Sequence, residues 1–313
     1  TQADKTLTLD NTPPTPTVSL TTDSGSSNSD NITNDMALTF SALEASTNTR
    51  SVSLTKDGAA VSSVTDVATY ATYRSTATEG DYVVTVTESD NAGNTSESTK
   101  AFTLDTTASA PVVSLTTDTG TTANTTRNGG LTVTANEDHA KVDYFVTKGT
   151  DTELPAMTAA EYQTYIDTRE AASDDGAYSV KVVATDAAGN ASQAIKAFTL
   201  DTTAPDAPVV SLTTDTGTTA NTTSNGGLTV AANADHAKVD YFVTKGADTE
   251  LPAMTAAEYQ TYIDAREAAS EDGAYSVKVV ATDAAGNASQ AIKAFTLDTA
   301  SPEFAAVEMF SAE

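Results

Sequence analysis

Asp186-Ala-Ala-Gly-Asn190 offers a carboxylate and an amide carbonyl four residues apart, and Asp105 ends the run Lys100–Asp105 just ahead of a Thr-Thr-Ala-Ser linker. The Asp186 turn precedes the last strand of its own repeat, whereas Asp105 follows the last strand of the repeat before it. Asp105, Asp186 and Asn190 therefore fall at one junction between successive units. Oxygen donors without thiols suit a hard cation. Calcium takes about six to eight oxygens from carboxylates, amides, backbone carbonyls and water, and extracellular modules bind it at roughly 10⁻⁴ to 10⁻³ M. The same Asp and Asn types also build and cap turns with no ion at all. The turn Asp118-Thr-Gly120 follows the first strand and should face the next junction along the chain.

The elements that must carry these turns are written twice. Pro111–Asp201 recurs as Pro208–Asp298 at an offset of 97 with six differences: Arg127/Ser224, Thr134/Ala231, Glu137/Ala234, Thr150/Ala247, Thr168/Ala265 and Asp174/Glu271. A diverged copy precedes them. Catalysis needs a site once, whereas reach and multivalency scale with copy number, so tandem copies point to an array. The organisation read from the sequence is a last strand of a preceding repeat in 1–10, repeats at 11–105, 106–201 and 202–298, and a linker or new repeat in 299–313. Lys5–Asp10 (KTLTLD) matches the closing runs that end at Asp105, Asp201 and Asp298.

Within the middle copy, Val112–Thr116, Leu131–Ala135, Val142–Thr147, Tyr178–Ala184 and Ala194–Leu200 alternate or cluster apolar residues as strands do, separated by Asp/Asn/Gly turns. Thr158-Ala-Ala-Glu161 is a capping box, and Tyr162, Tyr165, Ile166 and Arg169 follow at helical spacing, predicting a short helix that ends near Ser173. In the first copy, Ala59–Ser75 carries Val61, Val64, Val67, Tyr70 and Tyr73 at spacings that fit strands better. Tyr82, Tyr178 and Tyr275 each stand two residues after a glycine, where a tyrosine corner or plain core packing would use them.

Composition narrows the classes. The chain has 313 residues, no cysteine, no tryptophan and a formal charge of −27. Such a charge repels nucleic acid and anionic membranes and attracts cations, although it also simply aids solubility. Without disulfides, thin cores leave cation binding as the available staple. No run is long and apolar enough for a membrane span. Asp138-His139 and Asp235-His236 lack a nucleophile elbow and have no counterpart in the first copy, so they do not read as a catalytic pair, and no enzyme is expected.

The conjunction of D-x-A-G-N, a closing F-T-L-D-T strand, a T-A-P linker and Asp23-Ser-Gly-Ser-Ser-Asn-Ser-Asp30 resembles the bacterial immunoglobulin-like repeats of giant biofilm-associated and repeats-in-toxin adhesins. The resemblance implies an all-β fold of tandem immunoglobulin-like β-sandwich domains, here with a short helix inserted in the second and third. It implies Ca2+ at the junctions, with Asp10, Asp90, Asn94, Asp105, Asp186, Asn190, Asp201, Asp283, Asn287 and Asp298 in matching positions. In copies two and three the Asp23 turn has lost its second aspartate, which puts an ion there in doubt. It further implies type I secretion to the bacterial cell surface and a stalk, near 120 Å for three repeats at about 3.3 Å per strand residue, that holds distal adhesive domains off the cell in adhesion and biofilm formation. The expected partners are neighbouring repeats of the same chain and, through other regions, a host or substrate surface. The competing reading makes the repeats themselves modules that bind carbohydrate, peptide or a surface, strengthened by avidity.

Overall fold

The computed structural model describes residues 8–45, 47–134, 139–231 and 233–301. The first repeat runs β1 (Val18–Leu20), β2 (Ile32–Thr33), β3 (Leu38–Phe40), β4 (Thr49–Lys56), β5 (Ala59–Ala60), α1 (Val67–Arg74), β6 (Gly80–Ser89) and β7 (Thr95–Leu104). The second runs β8 (Val112–Leu115), β9 (Thr125–Thr126), β10 (Leu131–Thr134), β11 (Lys141–Lys148), α2 (Ala159–Ala171), β12 (Gly176–Thr185) and β13 (Ala191–Leu200). The third repeats that order as β14 (Val210–Leu212), β15 (Thr222–Thr223), β16 (Leu228–Val230), β17 (Lys238–Lys245), α3 (Ala256–Ala268), β18 (Gly273–Thr282) and β19 (Ala288–Leu297). The strand anticipated at the very start of the chain lies largely outside the described residues.

Each repeat is a two-layer sandwich. In the second, β8 and β10 pair antiparallel in one small sheet, while β11, β12, β13 and β9 form the other, with β9 added parallel to β13. Alternation along β12 buries Tyr178, Val180, Val182 and Ala184 against Phe198 and Leu200 of β13. Val113, Leu115, Leu131 and Val133 close the cluster from the small sheet. The two-residue β9 escapes sequence periodicity because it is too short to show any. It begins just after Asn124, whose φ of 62° turns the chain onto the edge of β13.

Tyrosines supply the bulk that the missing tryptophan would, and six of the buried rings place the hydroxyl on a backbone carbonyl. Tyr82, Tyr178 and Tyr275 donate to the carbonyls of Thr78, Asp174 and Glu271, four residues upstream, which is the tyrosine-corner geometry. Tyr162 and Tyr259 donate at 2.6 Å to Gly129 and Gly226 and so fasten each helix to the loop beneath it. Burial holds these two phenols well above their ordinary titration range.

The first repeat also contains a helix, contrary to the strand reading of Ala59–Ser75. Only Ala59–Ala60 pairs as a strand. Asp66 accepts from the Thr69 N–H, and Thr69 returns the bond in a capping box, so the chain turns helical at Val67. Tyr70 then drops into the core and donates its hydroxyl to the Met36 carbonyl. The apolar spacing hid this because Thr69 stands where a capping Glu is the familiar signal.

The first repeat differs from the second at one buried pair of positions. Arg50 and Glu88 face each other across β4 and β6, where the second repeat pairs Val142 with Ala184. Glu88 is fully buried and accepts from Arg50 at 2.8 Å and from Asn48, while the Arg50 Nε has no partner. Burial opposes ionisation of Glu88, yet the hydrogen bonds from Arg50 and Asn48 outweigh it and hold the carboxyl below its usual range. A depressed acid contributes stability above the unfolded carboxylate range, near pH 4, and loses it as pH falls through the folded value. Glu88→Gln should therefore destabilise the first repeat by about 3 kcal/mol, since it leaves a buried charge unpaired, whereas the double change R50V/E88A should be near neutral. Urea unfolding of wild type and the two variants at pH 7 checks this, and below about pH 4 wild type should lose more stability than R50V/E88A does.

Candidate functional site

The structure places Asn94 beside Asp10, Asn190 beside Asp105 and Asn287 beside Asp201. Asn94 donates its amide to the Asp10 carbonyl at 3.1 Å, Asn190 to Asp105 at 2.9 Å, and Asn287 to Asp201 at 2.8 Å. In each turn the Asn backbone N–H and side-chain amide bond both oxygens of the Asp four residues earlier, as in Asp186–Asn190 at 2.8 and 2.9 Å. This double clasp closes the D-x-A-G-N turn around its glycine, whose φ of 91° recurs at Gly93, Gly189 and Gly286. Asp186 and Asp283 are buried. Asp298 accepts from the Ala300 N–H, and no downstream turn meets it among the described residues.

The linker is gripped from the other side by acids that sequence reasoning passed over as turn residues. Asp175 accepts from the N–H and hydroxyl of Thr202 and from the hydroxyl of Thr203. Glu79 and Asp272 do the same for Thr106 and Thr299. The signal was present as an acid immediately before the glycine that opens β6, β12 and β18. The two histidines belong to the same structure. His139 and His236 donate from Nε2 to the linker carbonyls of Ser109 and Asp206, and Ser192 and Ser289 bind those same carbonyls.

The second junction shows the electrostatic consequence. Asp201, Asp235 and Asp283 line one cavity of about 400 Å³ together with Thr203 and Pro205. Burial lifts the Asp201 carboxyl above its usual range and the Thr203 N–H opposes that; Asp283, Asp175 and Asp235 push it further up by like-charge repulsion. Among the described residues, no three carboxylates or histidines converge tightly enough to form a metal shell by themselves. Any cation here would complete its coordination with backbone carbonyls and water, which suits calcium's high coordination number better than a transition metal's directed shell.

Residues 9–106 match the model of the bacterial immunoglobulin-like domain. The first repeat is a bacterial immunoglobulin-like domain. The second and third repeats share its strand order and its parallel edge strand. Solved structures similar to this chain include a tetra-tandem repeat in the extending region of a large adhesion protein, at 22% identity over 93% of this chain and 76% of that one, with a TM-score of 0.28. A Ca2+-stabilised adhesin that helps an Antarctic bacterium reach out and bind ice shows 22% identity over 92% and 74%, with a TM-score of 0.32. A fragment concerned with host cell surface retention of a 1.5-MDa bacterial ice-binding adhesin shows 17% identity over 92% and 98%, at 0.35. No curated protein matches the sequence. Among the described residues no helix is long and apolar enough to cross a membrane.

Asn287 is the residue on which the third repeat's grip of its linker turns, since it binds both the Asp201 carbonyl and the Asp283 carboxylate. Asn287→Ala should lower the stability of the third repeat by about 1–2 kcal/mol, because the buried Asp283 carboxylate and the half-buried Asp201 carbonyl each lose a donor. Differential scanning calorimetry should show that shift, with the first repeat's transition unmoved.

Proposed function

We propose that this chain is an extender segment of a secreted bacterial cell-surface adhesin, with repeats bounded at 11–105, 106–201 and 202–298, whose junctions bind calcium and thereby stiffen the string. The observation that carries it is the crowding of Asp201, Asp235 and Asp283 in one cavity between repeats, with Asp201 held above its ordinary range by burial and by its neighbours' charge. An acid whose folded pKa is raised costs stability as pH rises past the unfolded value, so at neutral pH the bare seam opposes folding. A divalent cation reverses that sign. The ligands would come from Asp105, Asp186 and their neighbours at one seam, and from Asp201, Asp283 and Asp235 at the next. Their geometry needs no further protein, which favours a structural role over a binding module for carbohydrate, peptide or a surface. Repeats that meet end to end add length in proportion to copy number, and near-identity of two of them fits a spacer selected for reach. In this reading the partners are the neighbouring repeats, biofilm and host contacts belong to other parts of the parent protein, and the segment sits outside the cell.

The test uses one substitution with opposite effects. In chelator, Asp201→Asn should raise the melting temperature of the third repeat, because it removes a repelled charge. Calcium at tenfold its dissociation constant should stabilise the wild-type repeat by about 1.4 kcal/mol, or roughly 5–10 °C, and the variant by far less. Equal melting of wild type with and without calcium would remove the ion from this account, and saturable glycan binding by a single repeat would favour the module.

A further inference from the structure

The junctions have a second point of contact, made by neutral groups of the same D-x-A-G-N turn whose Asp283 and Ala284 line the acid cavity. At the first, Ser24 donates its hydroxyl to the Ala188 carbonyl at 2.7 Å, across 164 residues of sequence. Gly25 lies so close to the following repeat that a Cβ would stand 1.8 Å from the Ala187 carbonyl oxygen. At the second, Thr119 donates to the Ala285 carbonyl at 2.6 Å, and the Thr121 N–H donates to the Ala284 carbonyl at 3.0 Å. A Cβ on Gly120 would meet Ala284 O at 2.4 Å, and one on Gly286 would meet Thr119 O at 2.3 Å. The two seams are built alike: a hydroxyl–glycine pair after the first strand of one repeat presses its backbone onto the Ala-Ala-Gly of the next. Ala188 and Ala285 are fully buried there.

We infer that each repeat carries the two halves of a backbone latch, Ser24-Gly25, Thr119-Gly120 or Thr216-Gly217 at one end and the Ala-Gly of the D-x-A-G-N turn at the other, which seats the next repeat without any ion. All the donors and acceptors involved are neutral, so the latch is insensitive to chelation and to salt. The glycines are required twice over. Gly286 needs its positive φ to close the turn, and it needs an absent side chain to admit Thr119. Gly93 separates the two demands, since it has the same φ of 91° in the same turn of the first repeat, yet nothing lies within 4 Å of where its Cβ would be. The latch also gives the D-x-A-G-N turn two tasks, with Asp and Asn facing the linker while Ala and Gly face the preceding repeat. It needs no ion and operates where the calcium reading predicts a weakened seam.

The chain has no cysteine, so a spin label can be placed at T164C and T261C, exposed positions on α2 and α3, and the distance between the second and third repeats measured in the full chain. In excess chelator the wild-type labels should give one narrow distance. Gly286→Ala should spread it to roughly 10 Å, the scale of a short free linker. Gly93→Ala, which carries the same backbone strain away from this seam, should leave it narrow. Circular dichroism melting of the third repeat shows whether Gly286→Ala still folds, and Thr119→Val, which deletes only the donor to Ala285, should broaden the distance to a lesser degree. A wild-type distribution in chelator as broad as that of Gly286→Ala would overturn the latch, and so would narrow distributions in both seam variants. Narrow wild-type distances that calcium does not change would instead count against the ion and leave the latch standing.

Discussion

Repulsion among the carboxylates that the fold holds together around Asp201, at the seam between the second and third repeats, is the constraint from which the rest follows. Asp201 cannot leave Asp283 and Asp235, because its carbonyl is fixed by Asn287 and its side chain caps Thr203. Asp283 in turn is clasped by Asn287, and Asp175 grips the first linker residues from the upstream side. The network therefore fixes acids where they destabilise one another. At the second junction the neutral backbone contacts of Thr119 and Thr121 with Ala285 and Ala284 hold the two repeats together beside these acids.

Thin sandwiches make this arrangement workable. Each core is a single cluster of Val, Leu, Tyr and Phe, in which Tyr178 stacks on Phe198 and Tyr275 on Phe295. The tyrosines are anchored at both ends, by ring burial and by a carbonyl for the hydroxyl, so a small core still fixes one geometry. The first repeat departs from this economy by burying Arg50 and Glu88 where its neighbours place Val and Ala. That pair costs desolvation for little net stability. Nothing at the seams depends on it.

Much of the fold was legible because alternation over eight to ten residues survives in β11, β12 and β13 and because Thr158 and Glu161 write a complete capping box. The pairing of Asp105 with Asp186 and Asn190 was legible too, since strand direction alone decides which end of a domain a turn occupies. Three features were not. The helix at Val67 is capped by an Asp–Thr exchange that apolar spacing does not register, β9 is two residues long, and Asp175 and Asp235 look like ordinary turn and loop acids until the linker folds back onto them. The latch was hidden for a related reason. A Gly-Ala contact between repeats has no charge or periodicity, and only coordinates show that a missing Cβ is what lets two backbones touch.

The most direct test is an anomalous difference map from a crystal of this chain grown in millimolar calcium. The account predicts a metal peak at each of the two described seams, one beside Asp105 and Asp186 and one beside Asp201 and Asp283. Seams holding only water, with those carboxylates turned toward solvent, would contradict it.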